Sequence, residues 1–141
     1  MFKKFFKKKN NIEINTENIL VAALLVHAAK IDENYTDVER KMIKKAIITL
    51  NKISENEAQE ILNKAEKKEQ ESNQIIEFTR EIKKKSMNYR IKIVEILWKI
   101  IYSDGTSDNY ESNLIRRICG LLYVSDKDSG MIKQKIQNLE S

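Results

Sequence analysis

The hydrophobic positions of this chain recur every three or four residues in separate segments, which is the spacing of amphipathic helices. Proline is absent and glycine occurs three times, so the residues that usually punctuate hairpins and sandwiches are missing. We therefore predict an all-α fold, a single compact bundle of about seven helices. The predicted helices are about 16–31 with Thr16 as its N-cap, 37–52, one from Ser54 into the polar stretch 66–73, a short one through 75–82, 88–103, 110–122, and one from Ser125 to about 139.

Two of the predicted helices, residues 19–29 and 91–102, are apolar on nearly every side. Helices of this kind lie at the centre of a bundle and pack against several neighbours. His27 interrupts the first of them, and a lone histidine in such a segment is more often a hydrogen-bonded core residue than a metal ligand. Cys119 falls on the apolar face of its helix and is predicted to lie in the core.

The unit of apolar helix, acidic turn and second helix occurs twice, at an offset of 72 residues. Asp32 and Glu39 in the first copy correspond to Asp104 and Glu111 in the second, because 104 − 32 and 111 − 39 both equal 72. The apolar positions agree in phase on both sides of the turn. A long period present only twice indicates a paired unit, so we predict that an approximate two-fold axis relates the two halves of the bundle.

Helix capping can account for all of the acidic residues in the two turns. Thr36 followed by Glu39 forms a capping box, and Asp108 followed by Glu111 is its aspartate-headed analogue. Gly105 can take the left-handed position that ends the preceding helix.

The alternative interpretation of the turns is a site for a divalent cation. Side-chain oxygens stand at every second position after Asp32 and Asp104, as in the first half of a calcium loop, but the glycine and final glutamate of an EF-hand are absent. Hard cations take about six or more oxygen ligands, so one turn alone supplies too few. If the two turns meet, Asp32, Glu39, Asp104 and Glu111 could share one Ca²⁺ or Mg²⁺ ion. The sequence leaves both interpretations open.

The net charge of +5 comes from the N-terminal segment. Five of the 26 basic residues lie in positions 1–10, which contain no acidic residue, so the remaining chain has 21 basic and 21 acidic residues. A neutral body gives no indication of a nucleic-acid surface, which needs a clustered basic patch. We therefore expect no nucleic-acid partner.

Residues 1–14 form a basic and aromatic leader, followed by a helical domain over 15–141. On a helix, Phe2, Phe5 and Phe6 share one face and the lysines occupy the rest, so the leader can dock on the domain or lie at an anionic membrane surface. No apolar segment is long enough to span a membrane. These features predict a cytoplasmic protein with peripheral contact at the inner membrane face as one option. No constellation of catalytic residues is present, and we expect no enzymatic activity.

An apolar helix that ends in Asp-Gly, followed by a polar N-cap and a glutamate seven residues after the aspartate, resembles the tellurite resistance protein TerB family. The domain is also similar to the N-terminal region of DjlA-type co-chaperones. The resemblance covers about residues 15–140 and rests on Asp104, Gly105 and Glu111, with Asp32 and Glu39 as the second set; Glu33 departs from it where glycine is usual. It implies a bundle of about seven helices and a metal ion held by acidic residues.

Two functions follow as expectations from the resemblance and the residues together. The first is a non-enzymatic module that binds a divalent metal and acts in stress response or as an adaptor for an unknown protein partner. The second is a structural or oligomerising interaction domain with a membrane-surface leader and no metal site.

Overall fold

A computed structural model describes the backbone over residues 2–31, 35–72, 74–104 and 109–140, and the side chains over 16–31, 35–72, 74–103 and 111–139. This part of the chain contains seven α-helices and one short 3₁₀ segment. They are α1 (Phe2–Ala29), α2 (Asp37–Asn51), α3 (Glu55–Glu71), α4 (Ile76–Ile82), α5 (Met87–Ile101), the 3₁₀ turn Tyr102–Asp104, α6 (Asn109–Leu122) and α7 (Asp126–Glu140). The predicted all-α bundle of about seven helices is therefore confirmed.

The two predicted central helices are the most buried elements. In α1, the residues from Val21 to Val26 are all at most 2% exposed, and in α5 Ile93, Val94 and Leu97 are fully buried. Helix α1 packs against α2, α3, α4 and α5, and α5 packs against α2, α6 and α7. Because both helices are apolar on several sides, the other elements pack around them.

The helix bounds repeat at the offset found in the sequence. Helix α1 ends at Ala29 and α5 at Ile101, while α2 begins at Asp37 and α6 at Asn109, and each pair is 72 residues apart. The pairwise packing also repeats, since α1, α2 and α3 contact one another and so do α5, α6 and α7. The helix α4 lies between these two sets in the chain, and it packs against α1 of one set and α6 of the other.

Short polar side chains begin several of the helices, as the sequence predicts. The hydroxyl of Ser54 accepts a hydrogen bond from the backbone N–H of Glu57 at 3.2 Å, and that of Ser125 accepts one from Asp128 at 3.1 Å. Helix α5 has the same arrangement at Ser86, whose hydroxyl accepts from the Tyr89 N–H at 3.2 Å. Each of these bonds satisfies one of the backbone donors that a helix N-terminus leaves unpaired.

The prediction that Thr16 caps the first helix is wrong, because α1 is helical from Phe2. No proline or glycine interrupts residues 2–16, and threonine is tolerated inside a helix. Three large hydrophobic residues at helical spacing are exposed: Val38 at 63%, Met131 at 62% and Leu139 at 71%. Two of them lie on α7, the last helix of the bundle, which packs only on α5, α6 and the 3₁₀ turn among its main neighbours. Its remaining faces meet solvent.

Candidate functional site

The junction that leads into α2 is held by a complete capping box. The Thr36 hydroxyl accepts a hydrogen bond from the Glu39 N–H at 3.1 Å, and Glu39 Oε1 accepts the Thr36 N–H at 3.0 Å. The Thr36 hydroxyl lies 3.1 Å from the same carboxylate oxygen and donates to it. Glu39 is 7% exposed. The predicted capping role of Thr36 and Glu39 is confirmed, and the box fixes the position of this buried carboxylate.

The junction that leads into α6 places Glu111 at the corresponding position. Glu111 is the third residue of α6, as Glu39 is of α2, and it is 5% exposed. The predicted N-cap Asp108 and the predicted left-handed Gly105 lie outside the described residues. The chain therefore buries two glutamates at matching places, each in the first turn of a helix.

The two aspartates of the predicted metal site cannot be placed beside these glutamates. Asp32 lies outside the described residues, and Asp104 is described only through its backbone, as the last residue of the 3₁₀ turn. Among the residues described with side chains, no three His, Cys, Asp or Glu residues converge to hold a metal ion. The site formed by Asp32, Glu39, Asp104 and Glu111 remains a prediction, and so does the meeting of the two turns.

An ion pair that the sequence analysis did not identify ties the first junction to α3. Arg40 Nε donates to Glu66 Oε2 at 2.8 Å and Arg40 Nη2 donates to Glu66 Oε1 at 3.0 Å, which is the bidentate geometry that a guanidinium forms with a carboxylate. The hydrogen bond to Glu66 raises the pKa of Arg40. Tyr35 lies beside this pair, and burial together with the Glu66 carboxylate raises the pKa of its phenol. The pair joins residues 26 apart in sequence, so no local pattern reveals it.

A second polar contact links the end of α1 to α3. Nδ1 of His27 lies 3.2 Å from Oε1 of Glu69, and Lys30 Nζ donates to Glu69 Oε2 at 2.8 Å. The prediction that His27 is hydrogen-bonded holds, but its place in the core is wrong because its side chain is 34% exposed. The histidine lies at the rim of α1, where its imidazole can reach the carboxylate on the neighbouring helix.

The second half of the chain does not repeat this ionic network. The residues 72 positions after Arg40 and Glu66 are Ser112 and Asn138, which cannot form an ion pair. The two junctions therefore share the buried glutamate, but the positions that correspond to Arg40 and Glu66 carry uncharged residues in the second half.

Cys119 is fully buried, as predicted from its position on the apolar face of α6. Burial is the main cause that raises the pKa of its thiol, and the interaction with Ser129 acts in the opposite direction. A buried thiol of raised pKa is a poor nucleophile. This residue therefore supports the core and contributes nothing to a reactive site.

Residues 2–14 of the leader belong to α1 in their backbone, while residue 1 and the side chains of 2–15 lie outside the described residues. The leader's predicted contact with an anionic membrane stays a prediction. No helix within the described residues is long and apolar enough to cross a membrane.

A family model described as "Tellurite resistance protein TerB" matches residues 18–134, which include all of the chain from the buried part of α1 to most of α7. Neither a curated protein nor a solved structure matches the chain at a significant level.

Proposed function

We propose a function from one premise: the chain belongs to the tellurite resistance protein TerB family. The chain is a non-enzymatic module whose two acidic junctions, 32–39 and 104–111, bind a divalent cation. The ion is Ca²⁺ or Mg²⁺, and the module acts as an adaptor in a stress response. Cation binding at the junctions fixes the ends of α1 and α5 relative to α2 and α6 and so regulates this adaptor.

The observation that carries this proposal is the burial of Glu39 and Glu111 at matching positions, 7% and 5% exposed. Each stands seven residues after an aspartate. A buried carboxylate is costly unless its charge is compensated. The helix N-terminus stabilises such a carboxylate, and a hard divalent cation, which prefers carboxylate oxygens, would add to that stabilisation. Thr36 supports the proposal further, since it holds the Glu39 carboxylate in one orientation.

Titration with Ca²⁺ and with Mg²⁺, followed through backbone amide shifts in NMR, tests the cation site. We expect saturable shifts confined to residues near both junctions. Asp32→Asn combined with Asp104→Asn removes two ligand charges without touching the capping glutamates, and we expect it to abolish the shifts. The matched control is Glu55→Gln with Glu60→Gln, two exposed carboxylates of α3. No shift in either junction at about 5 mM ion, above the range of weak calcium modules, would contradict the proposal.

The complete capping box at Thr36 favours a second candidate function. If capping accounts for both glutamates, the chain is a structural or oligomerising interaction domain without a metal site, and its leader contacts anionic membrane. Sedimentation velocity measures the oligomeric state directly. Co-sedimentation with phosphatidylcholine vesicles, with and without about 30% phosphatidylserine, measures how the leader binds to anionic membrane. Wild-type protein should pellet only with the anionic vesicles. A variant with the five leader lysines changed to Gln should remain in the supernatant.

A further inference from the structure

An open groove of about 450 Å³ runs between α2 and α5, on a part of the surface that neither acidic junction uses. Its floor is apolar. Helix α2 contributes Met42, Ala46 and Leu50, which are half-buried, and α5 contributes Ile96 and Ile100. A face of this kind between two packed helices is the usual receptor for a third helix.

The duplicated chain contains counterparts of these floor residues, and the counterparts are buried. Shifting each floor residue by 72 positions leads to residues on α6 and α1 that are at most 8% exposed: Leu114, Ile118, Leu122, Leu24 and Ala28. Helix α4 packs against both α1 and α6, the two helices that carry these residues. It does so with Ile75 at its N-cap, Phe78 and Ile82, which are 3%, 1% and 1% exposed.

The duplicated chain has one α4 for two such sets of apolar residues. In one half, a short amphipathic helix with apolar residues at positions i, i+3 and i+7 packs on both α1 and α6. In the half formed by α5 and α2, no described element of the chain takes that place, and the groove stays open. The packing of α4 therefore indicates that a short amphipathic helix is the kind of element that fits the α2–α5 groove.

The charged residues at the rim of the open groove indicate the charge of a helix that could bind there. Lys45, Lys92 and Lys99 line it together with one acid, Glu95, whose carboxylate lies 3.8 Å from Lys99 Nζ. Three cations against one anion leave a net charge of +2. The counterparts of Lys92 and Lys99 are Leu20 and His27, while Lys45 corresponds to the basic Arg117, so two of the three rim lysines belong to the open groove alone. A helix with acidic residues beside its apolar face complements this rim.

We propose that the α2–α5 groove binds a short amphipathic helix of a different protein, with an apolar face like that of α4 and acidic flanks. The chain's own leader does not fit as occupant, in the same or a second copy, because its five lysines would meet the lysine rim. The groove is separate from the cation junctions, so this inference stands whether or not they bind metal.

A synthetic peptide provides the probe. It carries residues 70–85 of this chain with Arg80, Lys83, Lys84 and Lys85 changed to Glu, which keeps the α4 apolar face and makes its flanks acidic. A second peptide with Lys at those four positions, and at Glu77 and Glu81, is its basic counterpart. Fluorescence anisotropy with labelled peptide should show the acidic version binding at least about tenfold more tightly, because like charges at the rim oppose the basic one. Amide shifts should cluster on α2 and α5.

Variants of the full chain locate the binding. Ala46→Phe fills the groove floor and should weaken the acidic peptide about tenfold, while Asn63→Phe, the same aromatic added to the exposed face of α3, should leave it unchanged. Reversing the three rim lysines to Glu should remove binding. Reversing Lys67, Lys83 and Lys127 instead makes the same change in net charge at exposed positions elsewhere and should leave most of the binding intact.

Three results would overturn the proposal. Equal binding of the acidic and basic peptides would exclude the charge argument, and equal loss in the two lysine triples would show that only net charge matters. Saturable shifts in the groove with dodecanoate but none with the acidic peptide would identify a lipid site in place of a helix site. The rim lysines are on the surface, so the triple variant reports on binding even if Ala46→Phe fails to fold; circular dichroism checks each variant.

Discussion

The indole Nε1 of Trp98 donates a hydrogen bond to the hydroxyl of Ser129 at 3.2 Å, and this contact joins the last turn of α5 to the first turn of α7. The two residues are 4% and 6% exposed. Ser129→Ala leaves the buried indole N–H without this acceptor, and we expect a loss of about 1–3 kcal/mol in the free energy of unfolding. Urea denaturation followed by circular dichroism measures it.

A double-mutant cycle separates that hydrogen bond from changes in packing. In a Trp98→Phe background no indole N–H remains, so Ser129→Ala should cost much less than it does in the wild-type chain. Equal costs in the two backgrounds would show that the serine acts through something other than the indole.

Cys119 should not react with a thiol reagent while the protein is folded. The side chain is fully buried, so the reagent cannot reach the sulfur. Burial also raises the pKa of the thiol, so little of the reactive thiolate is present. We expect the reaction with Ellman's reagent to follow the rate of unfolding and to become fast in about 6 M guanidinium. Lys127→Cys in a Cys119→Ala background, an exposed thiol on α7, should react at once and serves as control. A rapid native reaction of Cys119 would contradict its place in the core.

Gly130→Ala should stabilise the protein. Gly130 lies inside α7, and a Cβ added there meets no atom within 4 Å. Alanine restricts the unfolded chain and favours the helix, so we expect a gain of about 0.5–1 kcal/mol, measured as a higher urea midpoint at unchanged slope. Gly120→Ala on α6 has the same free space and should act in the same direction. Gly105→Ala is the contrasting variant: the sequence predicts a left-handed backbone there, and alanine at such a position destabilises.

The connector between α3 and α4 should make a small contribution to stability that depends on pH. Lys68 Nζ lies 2.8 Å from Glu77 Oε1, and the Ser72 hydroxyl donates to Glu77 Oε2 at 2.9 Å. Both contacts lower the pKa of Glu77, and the hydrogen bond from Lys68 has the larger effect. A pKa lowered on folding stabilises the protein above the unfolded pKa, and the gain disappears as the pH falls through the folded value.

Glu77→Gln measures this contribution. At pH 7 it should cost no more than about 0.5 kcal/mol, since solvent screens an exposed pair. As the pH falls through the lowered folded pKa, the variant and the wild type should approach each other, because Glu77 is then protonated in both states. The exposed Glu57→Gln on α3 is the control, and an equal pH dependence there would exclude a specific role of Glu77.

Local patterns in the sequence predict the helices well because their causes are local. The spacing of Ile43 and Ile47 puts both on the buried face of α2. The Thr36–Glu39 capping box forms because its two residue types can bond each other's backbone N–H groups. Thr16 misleads because threonine serves both as an N-cap and as an ordinary helix residue, and only the path of the preceding chain decides between them.

Tertiary packing limits what the sequence can say about the sites. Met42, Ala46 and Leu50 have the same spacing as core residues, but they line an open groove, while α4 packs on α1 and α6. Arg40 and Glu66 lie on different helices, so their ion pair depends on how α2 and α3 are oriented. The cation site depends equally on tertiary structure, since it requires two distant turns to meet.

The position of α4 has a consequence for how the chain can be divided. A break in the connector after α3 leaves one fragment with α1, α2 and α3 and another with α4 to α7. The second fragment keeps α4, which packs on α1 of the first, and α5, which packs on α1 and α2. The two pieces therefore retain complementary apolar surfaces across the cut. This chain is suited to fragment complementation, in which two separately made halves reassemble into one native bundle without a peptide link.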